Sequence, residues 1–348
     1  MAKVKGYKDH SQQSFKKYYD KKLAPLYAEL LPNRKKLIKY ILLLSVLLML
    51  DGIVLSLLFY DIIEMQLSSK IYPFFIFAIP QIICFVVYSF ISGETKQYKR
   101  KVKSLLIPKF INFFGKFKYG NYPISREIIE KSSLFVMPEF RNYIFDDCFK
   151  GKYKSTVLHI AEERLIFRTS LCVLVNFNKK FEGQTVVYSS KHDGGFYLLL
   201  LMVLLVCCSL VIMYFNIETV PMFLLSWSAG IYFYCVDRKT PQKSSKAKTE
   251  SINFSKRWKI ETTNQVEARY ILTPAFMEQM IQTCKSFRSN NLNFSFFENK
   301  LLIIIRSQKN WFELAPFFSS NYQKAEECFE QLNSILSVID ILLPDNEE

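Results

Sequence analysis

The chain has 348 residues, 50% of them hydrophobic, and a formal net charge of +15 from 46 Lys and Arg against 31 Asp and Glu. This combination excludes an intrinsically disordered protein, because disorder requires low hydrophobicity. Only 10 glycines occur, which leaves little material for glycine-rich phosphate-binding loops. The basic residues concentrate beside long apolar stretches and not on one folded segment, so no nucleic-acid partner is predicted.

Four apolar stretches predict transmembrane helices arranged as two hairpins. The stretches cover residues 40–60, 71–91, 196–215 and 220–236. A bilayer core takes about 20 apolar residues in a helix, with a lower limit of about 17. Lys and Arg are enriched in the long segments that border these stretches, which predicts that those segments lie in the cytoplasm. The sequence therefore predicts a multi-pass protein of the cell inner membrane, with the lipid bilayer as a partner and both termini cytoplasmic.

These stretches divide the chain into five predicted segments. Residues 1–36 form a basic cytoplasmic amphipathic arm, 37–93 the first transmembrane hairpin, and 94–195 a basic helix followed by the first part of an α+β domain. Residues 196–236 form the second hairpin, and 237–348 complete the α+β domain. The predicted fold class is an α+β cytoplasmic domain combined with four transmembrane α-helices in two hairpins.

Periodicity and capping signals predict the elements outside the apolar stretches. A helix is predicted over residues 11–31, ending at Pro32. Basic residues 95–118 predict an amphipathic helix, for which contact with anionic lipid headgroups and packing on the protein itself are both open. Thr273 and Pro274 are predicted to begin a helix as its N-cap and first residue. A final helix is predicted over 322–342, and period-two alternation predicts strands at 156–160, 165–169, 171–177, 185–188, 292–297 and 301–306.

Two longer motifs resemble a known family. Residues 175–187 read VNFNKKFEGQTVV, and residues 265–277 read QVEARYILTPAFM. Together with shorter matches at 133–135, 146–147, 151–153, 294–296, 299–306 and 311–313, they resemble a bacterial membrane-protein family known as domain of unknown function 3137. The resemblance implies an N-terminal membrane hairpin and a cytoplasmic α+β domain. It implies no activity.

Asp51 is the one ionisable residue inside the predicted spans. A carboxylate at the centre of a bilayer costs about 3 kcal/mol on insertion scales, so a partner on another helix is expected. Gln81 and Ser226 are candidate polar neighbours in other spans. A functional role for Asp51 and a role in helix packing both remain open at this point.

Four motif residues, Glu267, Arg269, Thr273 and Pro274, are predicted to be structural. Glu267 and Arg269 are predicted to lie at positions i and i+2 of a strand, where they share one face as a structural ion pair does. A catalytic pair is the alternative, but no nucleophile accompanies these two side chains. The neighbouring carboxylates at 146–147 offer too few oxygens for a calcium loop. No catalytic residue, metal site or cofactor is predicted.

The sequence favours a binding or scaffolding protein. Its α+β domain would contact a protein partner or anionic lipid headgroups at the membrane surface. The alternative is a small-solute or ion pathway, or a membrane sensor, that uses the four-helix membrane part around Asp51. Few polar residues lie in the predicted spans, so the binding function is preferred.

Overall fold

The computed structural model describes residues 11–64, 72–134, 144–164, 169–190, 244–247, 249, 251–307 and 321–343. It divides into two compact units. The helical unit contains Met1–Phe113 and Phe312–Glu326. The α+β unit contains Phe114–Trp311 and Glu327–Glu348.

Two long helices dominate the helical unit. Its elements are α1 (Gln12–Tyr18), a π-helical turn (Tyr19–Leu23), α2 (Ala24–Glu64) and α3 (Tyr72–Ile111). Pro32 lies inside α2, so the prediction that this proline ends a helix is wrong. The buried residues Leu30 and Leu37 lie on either side of it and pack in one cluster with Val102 and Leu106 of α3. This packing stabilises α2 across the proline, although proline disfavours a helix interior.

Within the part of the chain that the structure describes, no helix combines the length and the apolar character needed to cross a membrane. The predicted fold class is therefore wrong in its four transmembrane helices. The predicted multi-pass inner-membrane location, with both termini cytoplasmic, is wrong with it. The second predicted hairpin, residues 196–236, lies outside the described residues.

Charged residues lie within or beside the described apolar stretch of each long helix. In α2, Lys36, Lys39 and Asp51 fall within or beside the described apolar stretch. In α3, Glu94 and Lys96 end it. The alternative function, a solute or ion pathway or a sensor around Asp51, required the four-helix membrane part and is not retained.

The α+β unit is built on one antiparallel sheet. Its described strands, in spatial order, are β1-β2-β3-β4-β9-β8-β5-β7-β6. Their bounds are β1 (Lys116–Gly120), β2 (Phe145–Tyr153), β3 (Thr156–Arg164), β4 (Thr169–Asn176), β5 (Thr185–Ser189), β6 (Ser245–Lys246), β7 (Trp258–Thr262), β8 (Leu292–Phe297) and β9 (Lys300–Ser307). Strands that precede residues 196–236 pair with strands that follow them, as β4 does with β9. Both parts of the chain therefore contribute to the same sheet.

Helices pack on this sheet through aromatic contacts. The helices of the unit are α4 (Arg126–Lys131), α5 (Ile252–Arg257), α6 (Gln265–Ile271), α7 (Pro274–Phe287) and α8 (Asn321–Leu342), the last of which begins in the helical unit. Phe276 of α7 is fully buried, and its ring lies 5.7 Å from that of Phe294 and 5.8 Å from that of Phe296. α7 therefore covers the face of the sheet to which these β8 side chains point.

Among the described residues, a buried cluster covers the middle of the opposite face. There Ile124, Ile129 and Leu134 pack on Cys148 and Cys172 in a buried cluster. The same face continues across β3, β2 and β1, where the burial pattern changes from buried to exposed residues. This end of the sheet, where the described lysines are exposed, carries the candidate site.

Candidate functional site: a cationic face of the sheet

Four lysines and one histidine lie together on one face of the first three strands. Lys118 of β1 is directly opposite Lys150 of β2, which is in turn opposite His159 of β3. Lys116 is directly opposite Lys152 in the next row. Directly opposed residues of an antiparallel pair point to the same side of the sheet, with Cβ atoms about 5 Å apart. Residues two apart on one strand also point to the same side. We call these five residues the cationic face.

Alternation along the strands fixes the direction of these side chains. All four lysines are exposed. Between and beside them, Phe117, Phe149 and Tyr153 are buried, with 7%, 0% and 4% of their surface accessible. Because the aromatic side chains fill the core on the other side of the sheet, the lysines are held on the outer side.

The lysines of the cationic face differ from others in the unit in their ion pairing among the described residues. Elsewhere in the unit, the carboxylate of Glu298 lies 2.7 Å from Nζ of Lys300 and 3.2 Å from Nζ of Lys131. In the described ranges, by contrast, none of the four lysines of the cationic face forms an ion pair with a carboxylate. Like charges directly opposite on neighbouring strands are destabilising. The fold therefore holds a concentration of positive charge that an anion would relieve.

His159 is half-buried, and its surroundings disfavour the protonated form. Burial lowers the pKa of His159 below its ordinary value of 6.5, and the charge of Lys150 lowers it further. Lys150 of β2 is directly opposite on one side, and the apolar Leu174 of β4 is opposite on the other. His159 is therefore neutral at pH 7 and adds charge to the face in acid.

This lowered pKa makes folding stability depend on pH. As the pH falls below 6.5, His159 of the unfolded chain binds a proton before His159 of the folded chain does. The free energy of unfolding therefore decreases as the pH falls from 6.5 through the pKa of His159 in the folded chain. We expect urea denaturation to show a larger loss between about pH 7.5 and pH 5 for the natural chain than for His159→Gln. Equal losses would show that His159 does not titrate differently in the folded state.

A second cluster, of buried carboxylates, lies at the other end of β2 and β3. Asp147, Glu162 and Glu163 are 0%, 0% and 1% exposed. The hydroxyl of Tyr119 donates a hydrogen bond to Oδ1 of Asp147 at 2.7 Å, and burial, then this bond, raises the pKa of Tyr119. None of the three carboxylates is without a partner. Among the residues described, no group of three His, Cys, Asp or Glu is arranged to hold a metal ion.

Glu267 and Arg269 lie on helix α6 and not on a strand. On a helix, residues at i and i+2 do not face each other, so the interpretation of a shared strand face is wrong. Glu267 instead accepts hydrogen bonds from the backbone N–H groups of Glu182 at 2.8 Å and Gly183 at 2.7 Å. Arg269 is exposed. The carboxylate of Glu267 therefore fixes the turn before β5.

Thr273 and Pro274 begin α7 as predicted. Oγ1 of Thr273 accepts a hydrogen bond from the backbone N–H of Phe276 at 3.2 Å, and Pro274 is the first helical residue.

Asp51 lies in α2 and is 9% exposed. Gln81 lies in α3, and its side chain is outside the described part of the structure, as is Ser226. A shared role for these three polar residues remains a prediction.

Sequence reasoning missed the cationic face, although a signal for it exists. The pattern Lys-x-Lys occurs at residues 116–118 and again at 150–152. In a strand, this spacing places both lysines on one face. Residues 116–118 were assigned to a basic helix beside an apolar stretch, and no strand was predicted over 145–153, so the two patterns were not connected.

Comparisons with known proteins supply a family but no activity. No curated protein matches the chain significantly. A similar solved structure is the crystal structure of the mycobacterial trehalose monomycolate transport factor A, TtfA, at 8% sequence identity, covering 66% of this chain and 91% of that chain with a TM-score of 0.33. A likeness this low supports no conclusion about fold or function. The family described as Protein of unknown function (DUF3137) matches residues 169–343, which is half of the chain. The prediction from the motifs is thereby confirmed, and the chain belongs to the DUF3137 family.

Proposed function

We propose that this chain is a binding or scaffolding protein whose α+β unit holds an anionic partner on the cationic face. The observation that carries the proposal is the cross-strand pairing of Lys118 with Lys150 and of Lys116 with Lys152. Such pairs of like charge weaken a sheet when nothing neutralises them. A bound anion would remove the repulsion, so binding and folding would favour each other.

Protection of the sheet edge is the simpler explanation for part of this pattern. Lysines on an edge strand prevent edge-to-edge aggregation, and this accounts for Lys116 and Lys118, since β1 is the last strand in the described order. It does not account for Lys150 and Lys152, because β2 pairs with β1 on one side and β3 on the other. The charge extends inward beyond what edge protection needs.

Catalysis has less support in the described residues of the α+β unit. Burial raises the pKa of the Cys148 and Cys172 thiols, which makes them poor nucleophiles. His159 is the only residue of the cationic face whose ordinary pKa lies near neutrality. A charged surface without a nucleophile or a polarising group suits binding better than chemistry.

The test is to replace the four lysines of the cationic face with glutamine in the full chain. Three anionic probes are used: polyglutamate, polyphosphate and vesicles containing phosphatidylglycerol. We expect the natural chain to bind at least one probe. This binding should weaken with added salt, because salt screens exposed charges. The variant should bind the same probe at least about 100-fold more weakly.

A matched control removes the same amount of charge elsewhere in the same unit. It replaces four exposed lysines outside the cationic face with glutamine, namely Lys179, Lys180, Lys256 and Lys259. We expect the affinity of this control for the probe to lie within about fivefold of that of the natural chain. Fivefold is about the contribution of one lysine near an anionic surface. If no probe binds, or if both variants lose binding equally, the cationic face is not a binding surface.

A further inference from the structure

We infer that the occupant of the cationic face is the headgroup surface of a bilayer that contains anionic phospholipids. This inference rests on the proposed function, since it names the partner of the same surface. Three properties of the face support it: the type of its cations, the absence of anchoring side chains among its residues, and the close spacing of its charges.

The cations of the face are lysines and not arginines. The planar guanidinium of arginine matches one carboxylate or phosphate in a fixed, two-pronged geometry, whereas the lysine ammonium acts as a point charge on a flexible stem. Lys116, Lys118, Lys150 and Lys152 are all exposed, so a surface can reach their ammonium groups. This arrangement suits phosphates whose positions are not fixed, as on the surface of a fluid bilayer.

The face also lacks the side chains on which protein interfaces depend. Centres of protein interfaces are enriched in aromatic residues and arginine and depleted in lysine. The aromatic residues of these strands, such as Phe117 and Phe149, are buried on the other side of the sheet. An acidic protein would therefore find charge among these five residues but no Phe, Tyr, Trp or Arg side chain to anchor it.

The spacing of the charges makes them act together. Neighbouring strands lie about 4.8 Å apart, and residues two apart on a strand are separated by about 6.7 Å. The stems of the four lysines therefore begin within one screening length of one another, which is about 8 Å at physiological salt. Near an anionic leaflet, each lysine strengthens binding about fivefold, so four together contribute on the order of several hundred-fold.

The experiment measures co-flotation of the full chain with vesicles of phosphatidylcholine alone or with about one third phosphatidylglycerol. Binding to the neutral vesicles reports any contribution of apolar residues and serves as the baseline. We expect phosphatidylglycerol to increase binding, and replacement of the four lysines of the cationic face by glutamine to reduce the increase on the order of several hundred-fold at low salt. The control variant at Lys179, Lys180, Lys256 and Lys259 should keep it.

A smaller variant and a change of pH provide independent measurements. Lys150→Gln with Lys152→Gln, which leaves the edge strand β1 unchanged, should weaken the phosphatidylglycerol-dependent binding on the order of 25-fold. Acid should tighten it by up to about fivefold as His159 becomes charged, and His159→Gln should remove that gain. Circular dichroism verifies that each variant is folded.

Each alternative partner gives a distinct result. If polyglutamate or polyphosphate binds through the cationic face while phosphatidylglycerol adds nothing to vesicle binding, the lipid inference is overturned and the proposed binding function stands. If neither the soluble polyanions nor the anionic vesicles require the four lysines, both are overturned. Equal binding of a folded Lys150→Gln, Lys152→Gln variant and the natural chain to anionic vesicles also overturns the lipid inference.

Discussion

Glu267→Gln is expected to lower the free energy of unfolding of the α+β unit by about 2 kcal/mol. Both carboxylate oxygens of Glu267 accept backbone N–H groups, from Glu182 at 2.8 Å and from Gly183 at 2.7 Å. A hydrogen bond to a charged group contributes about 1.5 to 3 kcal/mol. Glutamine keeps one acceptor oxygen but turns an NH2 group toward the other N–H, so one bond is lost and one donor is left unsatisfied.

Arg269→Gln is the matched control, because this residue lies on the same short helix and is exposed. Its replacement should change the free energy of unfolding by no more than about 0.5 kcal/mol. Urea denaturation measures both values, and hydrogen exchange at the amides of Glu182 and Gly183 locates the effect. Faster exchange at these two amides in Glu267→Gln alone is the expected result. A loss of equal size in both variants would contradict the role assigned to Glu267.

Gly151→Ala is expected to cost about 3 kcal/mol and to loosen β1 from β2. A Cβ at Gly151 would lie 2.5 Å from Cδ1 of Phe117 and 2.7 Å from the backbone oxygen of Lys116. Overpacking of this kind costs about 1 to 3 kcal/mol, and the upper end applies because the second contact is with the backbone. Displacement of β1 would also carry Lys118 out of register with the lysines of β2, so anion binding should weaken together with stability.

Gly120→Ala controls for the loss of a glycine from the same pair of strands. A Cβ there would lie 3.1 Å from the ring of Tyr122, a side chain that can move aside. We expect a change below about 1 kcal/mol in the free energy of unfolding, within the range usual for single substitutions. If the two alanine variants are equally stable, the close approach of β1 and β2 does not require glycine at position 151.

Local signals in the sequence predicted local structure well. The start of α7 follows from the capping preference of Thr273 and the fixed φ of Pro274. The predicted hairpin over 292–306 corresponds to β8 and β9. These elements depend on residues adjacent in the chain, so a single sequence contains the information that specifies them.

Helix α6 and strands β1 and β2 were missed for identifiable physical reasons. In α6, Val266, Ala268 and Tyr270 alternate with polar residues and imitate a strand. The helix is instead begun by the side chain of Asn264, which leaves Val266 and Tyr270 exposed. In β1 and β2, lysine occupies the outward positions, so hydrophobicity gave little indication of a strand.

The cationic face itself could be predicted only in part. Each Lys-x-Lys pattern is visible in the sequence, but their alignment depends on the pairing of Lys118 with Lys150 across a long separation in the chain. His159 belongs to this face because β3 pairs with β2 in a register that places His159 opposite Lys150. Such pairings are set by the whole sheet, which is why periodicity alone did not reveal them.

The central position of β4 beside β9 has a consequence for how the protein is made. Residues 169–176 must wait for residues 300–307 to emerge from the ribosome before this pair can form. Pairings between such distant segments slow folding, because closing a long loop costs entropy before any contact is gained. Until then the nascent chain exposes an apolar strand edge, which is a surface prone to misassembly. During this interval of synthesis, a chaperone that covers the unpaired edge of β4 is expected to increase the yield of folded protein.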